Sequence, residues 1–231
     1  MADRCLLYYI TGRSEFRGDD AARRRALLAK IAEAACAGVG YIQLREKDLS
    51  TRELEMLARE ALSAICNSTP LRTENRELRT RLLINSRTGV ALAVGADGVH
   101  LRADDVAPSE VRQMLAVSAD RPLANDHFLV VASCHTVADV FRAETEKADF
   151  AVFGPVFEKK DAPLFLKKAT PAAGLAALRE ACRAKIPVFA LGGVTLENAA
   201  SCLDAGASGV AAIRLFQENR IEDVVRALRA L

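Results

Sequence analysis

Short apolar runs alternate along the chain with longer segments in which apolar residues recur at helical spacing. The first run, Leu6–Ile10, ends at the turn residues Thr11 and Gly12. The next segment, from residue 20 to residue 37, places its apolar residues three and four positions apart. Apolar strands separated by amphipathic helices are typical of a parallel sheet whose faces are covered.

The same alternation continues to the end of the chain and predicts about eight strands, each followed by a helix. The strands are predicted at residues 6–10, 41–47, 81–85, 98–101, 128–133, 149–154, 186–191 and 208–213. The helices are predicted at residues 20–37, 51–66, 88–94, from 109 onward, 136–146, 172–184, after 195, and 221–231. The expected fold class is therefore α/β, a single (β/α)8 TIM barrel, with residues 1–231 in one domain.

Two predicted connections are longer than the others. Residues 67–80 are polar and form the best candidate for an insertion, while residues 155–171 leave strand six with several lysines and prolines. A loop of more than about 12 residues in a compact domain is usually functional or disordered. We therefore predict that residues 158–171 close over bound phosphate as a lid, and that Lys159, or alternatively Lys160, contacts that phosphate.

Polar side chains are concentrated where the second predicted strand ends. Gln43, Arg45 and Lys47 alternate along the run, so in an extended segment they share one face. The carboxyl ends of the strands form the active face of a (β/α)8 barrel. These three side chains are therefore candidates for contact with a ligand.

Two turns follow the last two predicted strands, and the first contains a pair of glycines. Gly192 and Gly193 precede Thr195, which we predict to cap a helix, and a second turn runs through Ile213 into Arg214. Glycines allow close approach of a ligand, and the N–H groups at a helix start favour anions. The turns predict a phosphate site, although a tight turn alone would also explain the glycines.

Composition and charge exclude some classes of partner. The chain is 51% hydrophobic and 27% charged, and its net charge of +2 comes from 32 basic and 30 acidic residues. Because the charges are balanced, we expect no binding to nucleic acid or to an anionic membrane. No apolar run approaches the ~20 residues of a membrane span, and no signal peptide precedes the first strand, which predicts a cytoplasmic protein.

Several segments, in this order, resemble the thiamine phosphate synthase and TenI family. Each motif alone is weak, but the set at matching intervals is specific to that family. The matching segments are 43–47 (QLREK), 83–85 (LIN), 95–101 (GADGVHL), 133–136 (SCHT), 148–150 (ADF) with 153–157 (FGPVF), 192–194 (GGV) and 205–210 (AGASGV).

The resemblance implies a transferase that joins hydroxymethylpyrimidine diphosphate to a thiazole phosphate and releases pyrophosphate with the help of Mg²⁺. By this resemblance Gln43 contacts the pyrimidine and Asn85 lines its pocket. Arg45 and Lys47 hold the diphosphate, and Ser133 contacts a substrate. Arg45, Lys47 and Ser133 are thus the candidate catalytic residues of a synthase.

The resemblance also implies a metal ligand and a second phosphate site. Asp105 is the implied Mg²⁺ ligand, although a helix-capping or solvated carboxylate would explain it nearly as well. The thiazole phosphate is expected on backbone N–H groups of the two turns that follow the last two strands. The residues concerned are Gly192, Gly193, Ile213 and Arg214.

This chain departs from the synthase pattern at several positions. Ser86 stands where synthases have a Mg²⁺-binding Asp, Arg102 replaces a Gly after strand four, and Arg214 replaces a Ser. These changes remove metal ligands and add positive charge. They favour comparison with the TenI branch, which tautomerises a thiazole carboxylate phosphate without diphosphate or metal.

In a TenI-like enzyme the proton would be moved by His135, which follows strand five. A local hydrogen-bonding role at a helix start is the other explanation for this histidine. A third hypothesis is a protein that binds thiazole phosphate without catalysis.

We lead with the transferase because the diphosphate-binding trio Gln43, Arg45 and Lys47 is complete. The expected cofactor is Mg²⁺ and the expected partners are small phosphorylated substrates, with a homodimer as one option for assembly.

Overall fold

The computed structural model describes residues 5–68, 79–117, 128–158 and 171–231. Eight parallel strands close into a barrel in which each strand pairs with the next along the chain and β8 pairs with β1. The strands are β1 (Leu6–Ile10), β2 (Tyr41–Leu44), β3 (Arg81–Asn85), β4 (Gly98–Leu101), β5 (Leu129–Cys134), β6 (Phe150–Phe153), β7 (Val188–Leu191) and β8 (Gly209–Ala212). This confirms the predicted (β/α)8 barrel.

Helices surround the barrel and shield the outer face of the strands. They are α1 (Asp20–Cys36), α2 (Thr51–Ser68), α3 (Thr88–Val94), α4 (Pro108–Val117), α5 (Val137–Thr145), α6 (Gly174–Ala181), α7 (Ala199–Asp204), α8 (Arg214–Gln217) and α9 (Ile221–Arg229). Two of them start at capping boxes. Ser50 and Glu53 exchange hydrogen bonds before α2, and Thr136 and Asp139 do so at α5.

The apolar residues form two cores, because successive side chains of a strand point to opposite faces of the sheet. The larger core lies between the strands and the surrounding helices, and includes Leu27 and Ile31 of α1. The smaller core fills the inside of the barrel. Tyr8 and Tyr9, adjacent on β1, belong to different cores, so one ring faces inward and the other faces the helices.

Aromatic rings fill the inside of the barrel below its carboxyl end. Tyr8 lies 5.9 Å from Tyr41, 5.8 Å from Phe150 and 5.9 Å from Phe189, measured between ring centroids. His100 of β4 lies against the same Tyr8 ring at 5.7 Å. The interior is therefore a packed core, and ligands can reach only the polar residues above it.

Two local predictions are wrong. The extended segment ends at Leu44 and not at Lys47, so Arg45 and Lys47 lie in a turn. After β7, the next helix begins at Ala199, so Thr195 does not cap a helix that starts directly after Gly193. In both places contacts with the neighbouring loop determine the backbone, and such contacts leave no mark on local periodicity.

Three internal segments, residues 69–78, 118–127 and 159–170, lie outside the described residues. The predicted insertion falls largely in the first, while Lys159 and most of the predicted lid fall in the third. Within the described part of the chain, no helix is long and apolar enough to cross a membrane.

Candidate active site

A chain of polar side chains connects the ends of β2 and β3. The Gln43 amide donates to Oδ1 of Asn85 at 2.8 Å, and Nδ2 of Asn85 donates to the Ser86 hydroxyl at 3.1 Å. Gln43 is only 2% exposed, so its amide needs such a partner. Ser86 has a φ of 62°, in the left-handed region, where the backbone turns out of the strand. The structure therefore brings together the two residues predicted to line a pyrimidine pocket.

A second polar chain crosses the barrel interior from β1 to β5. The hydroxyl of Tyr8 lies 2.8 Å from Nδ1 of His100, and Nε2 of His100 lies 2.8 Å from the Ser133 hydroxyl. His100 is paired in register with Asn85 on the adjacent strand, so the two polar chains are neighbours. Ser133, predicted from the motif 133–136, lies near the end of β5 and thus at the same end of the barrel as Asn85.

The imidazole of His100 is neutral at physiological pH. The pKa of His100 is lowered to about 3. Burial is the largest cause, and the positive charge of Arg45 is the second. Sequence analysis assigned no role to His100. Its place between two hydroxyl groups is a feature that strand periodicity alone does not reveal.

A buried carboxylate shapes the turn that carries Arg45 and Lys47. Glu46 accepts a hydrogen bond from the Thr11 hydroxyl at 2.7 Å and another from the backbone N–H of Arg13 at 3.1 Å. The Thr11 hydroxyl in turn accepts from the backbone N–H of Arg45 at 2.9 Å. Glu46 therefore points inward, although Arg45 and Lys47 flank it in sequence, and through Thr11 it helps to hold the Arg45 backbone.

The Glu46 carboxylate is costly to bury and is only partly compensated. Desolvation raises its pKa, while the hydrogen bonds from Thr11 and Arg13 and the charge of Arg13 act in the opposite direction. The Arg13 side chain is itself buried and also pairs with Asp20 and Asp48. Sequence analysis missed Thr11, Arg13 and Glu46, because about 35 residues separate the two loops and no local pattern links them.

We expect Thr11→Val to loosen this turn. The substitution keeps the shape but leaves the Arg45 N–H and one Glu46 oxygen without the Thr11 hydroxyl, which should lower the free energy of unfolding by about 1–2 kcal/mol. The affinity for pyrophosphate should fall as well, because the Arg45 backbone is no longer held. Urea denaturation and calorimetric titration with pyrophosphate measure the two effects.

Thr80→Val provides the matched control. The Thr80 hydroxyl is buried and donates to the Val39 carbonyl at 2.7 Å, at the amino end of β3 and away from the turn. Thr80→Val should lower the free energy of unfolding by a similar amount and leave the affinity for pyrophosphate unchanged. If Thr11→Val and Thr80→Val bound pyrophosphate with equal affinity, a role for Thr11 in shaping the site would be contradicted.

Three basic side chains, Arg45, Lys47 and Arg102, lie close together beside the polar chains. The positive charges of Arg45 and Arg102 help to lower the pKa of Lys47, with Arg45 as the largest cause. A cavity of about 230 Å³ adjoins this group and is lined by Lys47, Asn85, Ser86, Arg87, Arg102, Glu46, Leu44 and Leu54. Like charges held together around a cavity form a suitable site for a multiply charged anion.

The carboxylates of Asp104 and Asp105 are paired with Arg102. Asp105 accepts from the backbone N–H of Arg102 at 2.7 Å, and its other oxygen lies 3.4 Å from Nε of the same residue. Asp104 accepts from the Arg102 guanidinium at 3.0 Å. No group of three or more metal-binding side chains occurs among the described residues. These residues fit Mg²⁺ only if substrate phosphates supply most of its oxygen ligands.

The glycine pair after β7 packs against the loop that follows β6. Gly192 and Gly193 have φ values of 93° and 64°. A Cβ atom on Gly192 would lie 2.6 Å from Pro155, and one on Gly193 would lie 2.8 Å from Phe157. Close packing is therefore sufficient to require glycine at both positions. A phosphate role for this turn stays a prediction, and it no longer has support from a helix dipole.

The turn after β8 matches its prediction more closely. Ala212 ends the strand, Ile213 precedes α8, and Arg214 is its first residue. The backbone N–H of Arg214 has no acceptor among the described residues. Its use for a phosphate group stays a prediction.

His135 lies just beyond β5 and is exposed. Its Nδ1 atom lies 2.7 Å from the Gly154 carbonyl oxygen, and its backbone N–H donates to Asp139. A carbonyl oxygen can only accept, so Nδ1 carries the proton and Nε2 of the neutral ring is unprotonated. His135 could therefore accept a proton at Nε2 from a ligand.

Comparison with known proteins agrees with the motifs. The family model described as thiamine monophosphate synthase matches residues 7–216. The thiamine-phosphate synthase of Syntrophomonas wolfei subsp. wolfei is 36% identical across 97% of this chain and 95% of its own length. That of Methanoculleus marisnigri is 36% identical across 96% of this chain and 93% of its own length.

A solved structure gives the same result. Thiamine phosphate pyrophosphorylase from Pyrococcus furiosus superposes with a TM-score of 0.74 and 25% identity, over 99% of this chain and 95% of its own. The predicted family and the predicted thiamine-phosphate synthase type of enzyme are both confirmed by these matches. The chain belongs to the thiamine monophosphate synthase family.

Proposed function

We propose that this protein joins hydroxymethylpyrimidine diphosphate to a thiazole phosphate, giving thiamine phosphate and pyrophosphate. The observation that carries the proposal is a cavity lined by Lys47, Arg102 and Asn85, with Arg45 close enough to Lys47 to lower its pKa. The cations suit the diphosphate. The Gln43–Asn85 pair beside them suits the amino and ring nitrogens of a pyrimidine.

The reaction is a substitution at carbon. The bond between the pyrimidine methylene carbon and the diphosphate oxygen breaks, and its electron pair leaves with pyrophosphate. The thiazole nitrogen then forms the new bond to that carbon. Negative charge grows on the departing pyrophosphate, so fixed positive charges at Arg45, Lys47 and Arg102 would stabilise the transition state.

Mg²⁺ would supply additional neutralisation of the departing pyrophosphate. Asp105 would hold the ion, with Asp104 beside it, and the diphosphate oxygens would complete the coordination. We expect no tight binding of Mg²⁺ to the free protein, because Arg102 already occupies both carboxylates.

Incubation with the two synthase substrates, with and without Mg²⁺, tests the proposal. Pyrophosphate and thiamine phosphate should form in equal amounts. Absence of both products, under conditions in which the protein is folded, would reject the synthase activity.

We expect Ser86→Asp to strengthen Mg²⁺ binding in the presence of pyrophosphate. Ser86 lines the same cavity as Arg102, and a second carboxylate is a far better ligand for Mg²⁺ than a hydroxyl. Aspartate also tolerates the left-handed backbone of this position better than most residues. Titration calorimetry with Mg²⁺ should show tighter ternary binding, and turnover should rise.

Ser86→Asn is the control, since asparagine has nearly the same shape and the same tolerance of this backbone without the charge. A gain in Mg²⁺ affinity with asparagine as large as with aspartate would contradict a metal site at residue 86.

The second candidate function is tautomerisation of a thiazole carboxylate phosphate, favoured by the unprotonated Nε2 of His135. His135→Gln keeps a donor and acceptor but removes the base. If the wild type tautomerises this substrate and the variant does not, while synthase products are absent from both, the isomerase replaces the transferase.

A further inference from the structure

The hydroxyl of Tyr8 sets the direction of the hydrogen bonds that reach Ser133. Tyr8 is fully buried among aromatic rings, and among the described residues its hydroxyl has a single partner, Nδ1 of His100. If Nδ1 carried the imidazole proton, the phenolic proton would have no acceptor there. Leaving a buried donor unpaired is costly, so Tyr8 donates and Nδ1 accepts.

The proton of His100 must then lie on its other nitrogen. Burial keeps the ring neutral, so it carries one proton, and that proton is on Nε2. Nε2 therefore donates to the Ser133 oxygen at 2.8 Å. Tyr8, His100 and Ser133 form a chain in which each group donates to the next.

The last proton of the chain belongs to the Ser133 hydroxyl. It has no acceptor among the described residues, and Ser133 lines a cavity of about 250 Å³ that also contacts Arg102 and Asp105. That cavity and the one beside Lys47 share Arg102, so Ser133 faces the same region as the proposed diphosphate site.

We infer that Tyr8 and His100 are positioning residues that make Ser133 an obligatory hydrogen-bond donor to the substrate. The substrate must therefore present a lone pair to Ser133, as an unprotonated pyrimidine ring nitrogen does. This inference rests on the proposed function for the identity of the substrate, but not for the direction of the hydrogen bonds.

The direction of the hydrogen bonds from Tyr8 through His100 to Ser133 can be measured without any substrate. Nitrogen-15 NMR of the imidazoles in the ligand-free protein should show His100 protonated at Nε2 and unprotonated at Nδ1, with its signals identified by their loss in His100→Gln. A proton on Nδ1 would overturn the inference, whether or not the protein is a synthase.

Kinetics test the consequence for the substrate. Tyr8→Phe should raise KM for the pyrimidine diphosphate about three- to tenfold and leave kcat within about twofold, as expected for one weakened hydrogen bond. In the Ser133→Ala background, Tyr8→Phe should have no further effect on KM, because the Ser133 hydroxyl that Tyr8 and His100 orient is then absent.

Tyr9→Phe is the matched control. It removes a hydroxyl from the next residue of β1 that is buried and has no partner among the described residues. KM should be unchanged in Tyr9→Phe, and His100→Gln, whose amide can replace the Nε2 donor, should retain more affinity than His100→Leu. Equal KM values for Tyr8→Phe and Tyr9→Phe, or additive effects of Tyr8→Phe and Ser133→Ala, would overturn the inference.

If the protein is not a synthase, the result is different. The wild type then forms no thiamine phosphate, and the NMR measurement alone decides the direction of the hydrogen bonds from Tyr8 to Ser133.

Discussion

The free energy of unfolding should fall steeply as the pH drops below 6.5, because His100 stays neutral in the folded protein until the pH approaches its lowered pKa of about 3. The pKa of His100 is about 3 in the folded protein, whereas the ordinary value of 6.5 applies to the unfolded chain. Between these values the unfolded chain binds one more proton than the folded chain, so acid favours unfolding. Stability from this group is complete above pH 6.5 and is lost as the pH falls.

The expected magnitude is large for one residue. Each pH unit in this range costs up to about 1.4 kcal/mol, which gives about 2 kcal/mol between pH 6 and pH 4.5. Urea denaturation of the wild type and of His100→Gln at several pH values measures the effect. The free energy of unfolding should change with pH less steeply in His100→Gln than in the wild type. Carboxylates contribute equally to both proteins and cancel in the comparison.

His135→Gln is the control for this experiment. His135 is exposed, so its substitution should leave the wild-type slope in place. A slope in His100→Gln equal to that of the wild type would show that the folded protein accepts a proton on His100, and that its hydrogen bonds to Tyr8 and Ser133 rearrange to allow it.

Arg45→Ala and Lys47→Ala should each weaken pyrophosphate binding by about 1.5–3 kcal/mol, or roughly 10- to 150-fold in Kd. Both side chains follow β2 at the carboxyl end of the barrel, and the positive charge of Arg45 lowers the pKa of Lys47. Because neither supports the apolar core, the free energy of unfolding should change little. Calorimetric titration with pyrophosphate and urea denaturation separate the two effects.

Arg183→Ala is the charge-matched control. Arg183 is exposed at the opposite end of the barrel, between α6 and β7, and pairs with Glu180 at 3.0 Å. Its removal changes the net charge by the same amount but should not change pyrophosphate affinity. Unchanged affinity in Arg45→Ala and Lys47→Ala would move the anion site elsewhere on the protein.

Local pattern was enough to predict the fold. The predicted strands at residues 6–10, 81–85 and 98–101 and the helix at 88–94 have the bounds found in the structure. Buried strands are mostly apolar and helices repeat about every 3.6 residues, so residues close together in sequence indicate both kinds of element. Eight such units in a chain of 231 residues favour a closed barrel.

The candidate site was predicted residue by residue but not as a connected structure. Gln43 was predicted from the alternation of polar residues after Ile42, whereas Asn85 and Ser133 were predicted from the resemblance, and the structure brings all three to one end of the barrel. The order of their hydrogen bonds is not a local signal. It depends on Tyr8 and His100, which are 92 residues apart and look like ordinary strand residues in sequence.

The sequence by itself thus determined the elements, the barrel and the end of it that carries the polar side chains. Only the tertiary structure decided that Glu46 is buried beneath Arg45 and Lys47, that the helix after Gly193 starts six residues later at Ala199, and that Arg102 pairs with Asp104 and Asp105. Secondary structure depends on residues three or four positions apart, whereas the desolvation of a charge and the direction of a hydrogen bond depend on groups that meet only when the barrel closes.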